Sequence, residues 1–349
     1  MERKILLLTL CAGIFINIGT MLMGEKIGTK IKKDAVGDSL VSSTELLTNF
    51  ELGDRFLDLY RMGGKKNRQD FENAVEHYKK GLKFLESDNV YYTNRLGYAY
   101  HLERRLKEAS EQYEKVIRLD PPQSVTPEEF ELIIRLAPRL YVNSKEFFDL
   151  EDVVVILHPE DPLIEYSFFW DDDIGYPGDN DPTDHEKIWI QYDPETGDVV
   201  KVYTYFHRAI LSTEGSIKDA REHHNRALIN VQWGGHGSLP IGWQKIPAEQ
   251  FIVRYAHIAE PGIIGNMRSR FQKDAKSIRR PDHPLAKGWP KKFVGTWEEY
   301  ITFDKYIDLP ELIKEKKMVI KSRWSNAVID QYFLDYQFFP KRAWPIGAP

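Results

Sequence analysis

The chain carries one cysteine, Cys11, in 349 residues, which excludes a disulfide framework and any cysteine-ligated metal site. Charge of one sign is also scarce: 48 Lys and Arg against 53 Asp and Glu leave a net charge of -5. No bulk surface for polyanions or polycations follows from that balance, so a nucleic-acid role would need a local patch. Three common enzyme signatures are absent: the His-Glu-x-x-His zinc helix, the Gly-x-x-x-x-Gly-Lys-Ser/Thr phosphate loop and the Gly-x-Ser-x-Gly nucleophile turn. What remains is 42% hydrophobic and 13% aromatic, enough to bury a substantial core, and a length that suits two folded units.

Arg3 and Lys4 precede an apolar run from Ile5 to Gly24 that is broken only by Asn17 and threonines. Roughly 20 helical residues at about 1.5 Å each span about 30 Å, the depth of a bilayer core. The run also has the basic start and apolar middle of a secretory signal, but Leu22 before Gly24 makes a poor cleavage site. Residues 1–24 therefore read as an uncleaved signal anchor, with a cleaved signal peptide, and hence secretion, as the alternative. The positive charges at Lys26, Lys30, Lys32 and Lys33 would keep the body cytoplasmic; the signal-like start argues for an extracytoplasmic body, which is the expectation here. Residues 25–48, rich in Lys, Gly, Ser and Thr, read as a tether.

A helical module is expected over 49–145. Leu96, Gly97, Tyr100, Ala109, Tyr113 and Pro121 recur at offsets where small residues let two helices approach and aromatics fill the space between them. Ala74 and Tyr78 lie 35 positions before Ala109 and Tyr113. This spacing resembles the tetratricopeptide repeat over about residues 50–122, with one good repeat and one partial repeat interrupted at Gly63 to Gln69. The resemblance implies a helical module that binds a protein partner, with Tyr92, Tyr100 and Tyr113 in its groove, or one that docks within the chain. Two such units are too few to stand alone, and Pro127 to Leu140, with Phe130, Ile133, Ile134 and Leu136 at helical spacing, is expected to cap the stack or dock it.

From about residue 150 the period changes to that of strands. Val153–Leu157, Glu165–Trp170, Glu186–Tyr192, Val199–Phe206, Leu228–Trp233 and Gln331–Phe338 read as strands, and Ser216–Arg226 and Leu309–Lys316 as helices. Asp193-Pro194-Glu195-Thr196-Gly197-Asp198 reads as a hairpin turn. The fold class expected is α+β and multidomain: a membrane segment, a short tetratricopeptide-like α-helical module, and a β-rich, sandwich-like domain over 150–349.

Residues Trp170 to Glu186 include seven acidic residues, among them Asp181, Asp184 and Glu186. Clustered carboxylates suit a hard cation, calcium or magnesium, although an acidic solvated loop has the same composition. If Asp193 and Asp198 close the hairpin, pairing sets Glu186 opposite Tyr205 and Asp184 opposite His207. Asp184, Glu186, Ile188 and Ile190 then share one face, and His185, Lys187 and Trp189 the other. The loop Gly234-Gly235-His236-Gly237-Ser238 is able to reach the same place. The expected metal set is thus Asp184, Glu186, His207, His236 and Asp181, while Trp170, Trp189 and Trp233 are expected in the core and His223 and His224 at the surface.

Asp184-His185-Glu186 followed by Trp189, with a later Gly-His-Gly, resembles the β-sandwich domain of necrosis-inducing secreted proteins and their vacuolar protein sorting-associated relatives, over about 160–240. That resemblance implies an acidic pocket for a divalent cation, but Ile188 and Ile190 stand where the family has acidic residues, so cytolysis is not implied. The basic stretch Arg268, Arg270, Lys273, Lys276, Arg279, Arg280, Lys287, Lys291 and Lys292 could meet an anionic lipid or polymer; sparse aromatics argue against single-stranded nucleic acid. The sequence reads as a tethered or exported binding protein, with a metal-dependent hydrolase of a surface polymer or lipid as the competing class.

Overall fold

The computed structural model describes residues 43–63, 67–85, 89–174, 183–207, 209–246, 262–276, 290, 292–334 and 338–345. The expected membrane segment and most of the tether, the acidic-loop residue Asp181 and the basic residues 277–289 lie outside them. Among the described residues no helix is long and apolar enough to cross a membrane. The chain divides into two compact units, Met1–Leu96 and Gly97–Pro349, with the boundary inside a helix.

Helices form the first unit because its apolar residues recur at helical spacing. In α2 (Arg68–Lys83) Phe71, Ala74, Val75 and Tyr78 fall on one stripe and are all buried. That stripe packs on α1 (Ser43–Gly63), whose Phe50 ring stacks on Tyr92 at 3.5 Å. Tyr92 opens α3 (Val90–Leu102). Asp54 accepts hydrogen bonds from the Tyr78 hydroxyl at 2.6 Å and from Arg95 Nε at 2.7 Å, so one carboxylate ties three helices.

In the second unit α3 runs into α4 (Leu106–Leu119). A Cβ on Gly97 would lie 2.9 Å from the Tyr113 ring, so the small residue sets how closely the hairpin closes. One side of α4 is covered by the short helix α10 (Ser325–Val328) and a π turn (Ile329–Phe333), while Lys107, Glu111, Glu114 and Arg118 stay exposed. Gln331 Nε2 donates to Ser110 Oγ at 2.8 Å, and Trp324 Nε1 to Asp120 at 2.7 Å. Part of the β-rich domain thus stands where a further repeat would. Of residues 331–338, expected as a strand, 331–333 end this π turn, and Leu334 and Phe338 join the core against the large sheet instead.

α5 (Pro127–Leu136) starts with a capping box between Thr126 and Glu129. It docks rather than caps: Ile133 and Leu136 join the core of the β-rich domain, where the Tyr166 hydroxyl donates to the Ile133 carbonyl. Six strands, β2 (Leu150–Leu157), β3 (Leu163–Trp170), β4 (Asp184–Tyr192), β5 (Val199–Phe206), β6 (Ala209–Leu211) and β10 (Val319–Lys321), form one sheet in the order β10-β2-β3-β4-β5-β6. Four more, β1 (Arg139–Val142), β7 (Leu228–Val231), β8 (Ser238–Pro240) and β9 (Lys305–Ile307), form a second in the order β8-β7-β1-β9. The α+β class is as expected; both sheets are mixed, since β10 pairs β2 and β1 pairs β7 in parallel, and residues of both share one core cluster.

Every residue of β3 is buried, so both its faces carry large apolar side chains, and its two polar residues, Glu165 and Ser167, bond each other. Tyr166, Phe168 and Trp170 face one core with Ile188, Ile190 and the residues of β1 and β7; Phe169 faces the other with Trp189, Tyr203 and Tyr205. The two faces of β4 are therefore as the alternation predicts. Its register is not. Asp193 N donates to Asp198 O as expected, but a bulge at Gln191/Tyr192 shifts the ladder by one residue, pairing Ile188 with Thr204. The expected pairs Glu186–Tyr205 and Asp184–His207 do not form.

Candidate functional site

The residues expected to line a repeat groove are packing residues. Tyr92, Tyr100 and Tyr113 are 3%, 3% and 0% exposed, and Gly97, Ala109, Ala74 and Tyr78 lie in the helix contacts around them. Pro121 is exposed just after α4. None of the three tyrosines presents a face to a partner.

Of the five residues expected to hold a cation, the described structure brings together Asp184, Glu186 and His236, and adds two others. His236 sits in the Gly234-Gly235-His236-Gly237 turn at φ +43. Gly237 must be a glycine, as a Cβ there would lie 2.7 Å from the Phe206 ring. The imidazole is fully buried, stacked on Trp170 at 4.3 Å with the rings 5° apart. Its Nδ1 lies 2.9 Å from Asp184 Oδ2 and its Nε2 lies 3.6 Å from Glu146 Oε1. Glu146 in turn accepts hydrogen bonds from the Phe147, Phe148 and Gly234 backbone N–H groups. Burial alone would depress the imidazole, but Glu146 and Asp184 outweigh it and push His236 up to about 10.

Glu186 faces a different balance. It is 3% exposed, and its Oε1 lies 2.7 Å from Lys341 Nζ. Burial raises its carboxyl to about 8; Lys341 opposes that rise and Asp184 adds to it. Lys341 Nζ also lies 4.5 Å from the Tyr205 ring centroid.

His207 stands apart from this cluster. Its backbone, at φ +45, turns the chain out of β5, Nε2 donates to Gln232 Oε1, and Nδ1 accepts from Arg270 Nη2 at 3.1 Å. That pattern fixes a neutral ring protonated at Nε2. Burial first, then Arg270, hold it well below the usual range for histidine. The network continues from Gln232 through the Tyr300 hydroxyl to Asp274.

These partners bear on the expected cation site. A histidine ligand must be neutral and turn a lone pair to the metal, and both nitrogens of His236 face carboxylates. Lys341 Nζ stands beside the same carboxylates, 2.7 Å from Glu186 Oε1. Among the described residues no three His, Cys, Asp or Glu converge to hold a metal ion. The open depression along α5, lined by Glu128, Glu131, Leu132 and Arg135 among others, contains none of these groups.

The basic stretch is corrected in its first part: Arg268 and Arg270 lie on a helix, α7 (Gly262–Asp274), where Arg268 packs over the Trp297 ring and Arg270 holds His207. Trp170, Trp189 and Trp233 are buried, and His223 and His224 are exposed, as the sequence suggests. Glu146 and Lys341 had no local signal. Their partners lie far along the chain, and only the fold brings them to Asp184, Glu186 and His236.

Residues 92–123 match the family described as tetratricopeptide repeat. No curated protein and no solved structure matches the chain significantly, and the resemblance to necrosis-inducing proteins finds no support in these comparisons. Residues 92–123, which include α4 and most of α3, are thus the part of the chain that a known family accounts for.

Proposed function

We propose that the protein is an interaction protein, whose repeat hairpin presents the outer surface of its helices to a protein partner while an α+β body holds that hairpin in place. The single observation that carries this reading is the tetratricopeptide match over 92–123, a repeat type that commonly mediates protein–protein contact. The inner tyrosines are spent on packing, so the surface on offer is the exposed side of α4, with Lys107, Glu111, Glu114 and Arg118.

Lysine-directed cross-linking of the full chain in its native membrane and soluble fractions tests the reading. Cross-links from Lys107 to a second protein, lost on reversing Glu111 and Glu114 to lysine with the melting temperature unchanged, are the expected result. Only intramolecular links from Lys107 would reject it.

The apolar run 5–24 supports a membrane-tethered and extracytoplasmic placement, with secretion if the run is cleaved. Removing residues 1–24 should then move the protein from the membrane pellet to the soluble fraction. An unchanged distribution would remove the tether from the reading.

A further inference from the structure

Three of the chain's ten histidines meet the segment 338–345, and all three are buried. Two of them hold it by donating: His101 Nε2 to Phe338 O at 2.8 Å and His185 Nδ1 to Phe339 O at 3.1 Å. A bond that the ring donates survives when the ring gains a proton, because an imidazolium is still a donor. The third, His158, works the other way round. Its Nδ1 accepts from the Glu160 and Asp161 backbone N–H groups, at 3.3 and 2.8 Å, so the neutral ring carries its proton on Nε2. A proton on Nδ1 would face two donors and break both bonds.

Those two bonds shape the turn between β2 and β3, where His158 N also donates to Leu163 O at 2.9 Å. The same ring meets Trp344 nearly at a right angle, with centroids 4.8 Å apart. Trp344 is 1% exposed, belongs to the core on that side of the large sheet, and donates from Nε1 to Arg323 O at 2.8 Å. The position of one imidazole thus couples the turn to the far end of the segment. The charged groups that face it are Asp161 and Glu160 from its own turn and Arg323, which pairs with Glu160, from the stretch after β10. From the segment it meets the uncharged ring of Trp344. Burial holds the imidazole below the usual range for histidine; Asp161 opposes that and Arg323 adds to it.

A second arrangement of the ring is close at hand. Asp161 Oδ2, on an exposed side chain, lies 3.5 Å from Nδ1 and is the natural acceptor for a proton carried there. Turning to it takes the ring off the two backbone N–H groups and away from Trp344. We propose that His158 is a pH-sensitive latch: neutral, it accepts from the turn and holds Trp344 in the core; protonated, it pairs with Asp161 and frees the Trp344 end of the segment. The latch is fully closed above the ordinary histidine value of 6.5 and opens as pH falls below it, because the released ring takes up a proton that the latched ring refuses. It does not depend on what the exposed face of α4 binds.

Solvent exchange of the Trp344 indole N–H in the full chain, followed by NMR, reads the latch. Its resonance is assigned by its loss in Trp344→Phe, and the Trp233 indole, which donates to Lys145 O away from the latch, is the reference. Corrected for the intrinsic rate, exchange at Trp344 and at the Asp161 amide should be at least ten-fold faster near pH 5 than near pH 7.5, with Trp233 unchanged. His158→Asn keeps an acceptor for the same two N–H groups but has nothing to protonate, so it should abolish this pH dependence. Asp161→Asn, at an exposed site, withdraws the partner of the charged ring and should move the midpoint to lower pH. A Trp344 indole that stays protected near pH 5, a loss that Trp233 shares, or a loss that His158→Asn retains overturns the proposal. So does an Asp161→Asn midpoint that does not move, a measurement that stands even where His158→Asn fails to fold. Cross-linking at Lys107 is blind to all of these outcomes, so the two readings fail separately.

Discussion

Two clusters of buried charge lie along β4, and they are built on opposite rules. Around Lys187 one cation meets one anion: its Nζ lies 2.9 Å from Glu165, and Ser167, Ser325 and Trp189 supply the remaining hydrogen bonds. Both charged residues are 0% exposed, and nearly every polar atom has a partner. Around His236 the cations and anions alternate from Glu146 to His236 to Asp184, with the Glu186–Lys341 pair beside them, and Glu186 Oε2 has no hydrogen-bond partner. The first is a closed lock that fastens α10 to the sheet. The second has carboxyl and imidazole groups whose charge depends on each other, so it should respond to pH.

The largest effect should come from opening the lock. Lys187→Met leaves Glu165 buried without its counter-ion and should cost about 3–5 kcal/mol, read as a fall in the denaturation midpoint, while the double change Lys187→Met with Glu165→Leu should recover most of it. If the double variant is no better than the single one, the pair contributes more than mutual compensation.

His236→Gln strips the positive charge from between Glu146 and Asp184, and an unpaired buried charge again costs about 3 kcal/mol. The comparison is sharpened if this variant also loses the pH response described next, and broken if it keeps that response.

Stability should fall as pH rises from near neutral to about 10. His236 is raised from 6.5 to about 10 in the folded chain, so its contribution is complete below 6.5 and is lost as pH climbs through the folded value. Glu186, raised from 4.5 to about 8, acts in the same direction, because the unfolded chain releases its proton first. Buried His185, held well below 6.5, works at the other end: the unfolded chain takes up a proton below pH 6.5 that the folded chain refuses. Melting temperature measured from pH 5 to pH 10 should thus have its maximum near neutrality. A flat alkaline limb would mean that the His236 cluster does not carry the charges assigned to it.

The smallest effect is expected from Glu186→Gln. With its carboxyl already favouring the protonated form, a neutral amide of the same shape should shift stability by less than about 1 kcal/mol and flatten part of the alkaline decline. A large loss would show that Glu186 is held as a full carboxylate.

Much of this was legible in the sequence where the signal is local. The alternation of β4 assigned Ile188 and Ile190 to one core and Trp189 to the other, and Gly97 with Tyr113 marked a close helix contact. Asp184 and His236 were brought together by reasoning about a strand end and a glycine loop. The register failed because a single extra residue, Val200, opposite Gln191 and Tyr192, moves every pair beyond it, and no residue type there announces a bulge. Leu334 and Phe338 misled because apolar residues serve a sheet edge and the cover over its face equally well. The make-up of the charge cluster was out of reach for a plainer reason: Glu146 and Lys341 reach it from distant parts of the chain, and no local pattern marks either of them.

The cover over α4 and the aromatic face of the large sheet has a consequence for how the protein is made. Val154, Ile156, Phe169, Trp189 and Tyr203 are sealed by Val328, Ile329, Phe338 and Trp344, which leave the ribosome well over a hundred residues after the strands they cover. Through that interval a ring-rich surface stands open, as a client for chaperones and a seed for aggregation. A premature stop anywhere between the last strand and residue 338 should therefore yield not a shortened protein but an insoluble one.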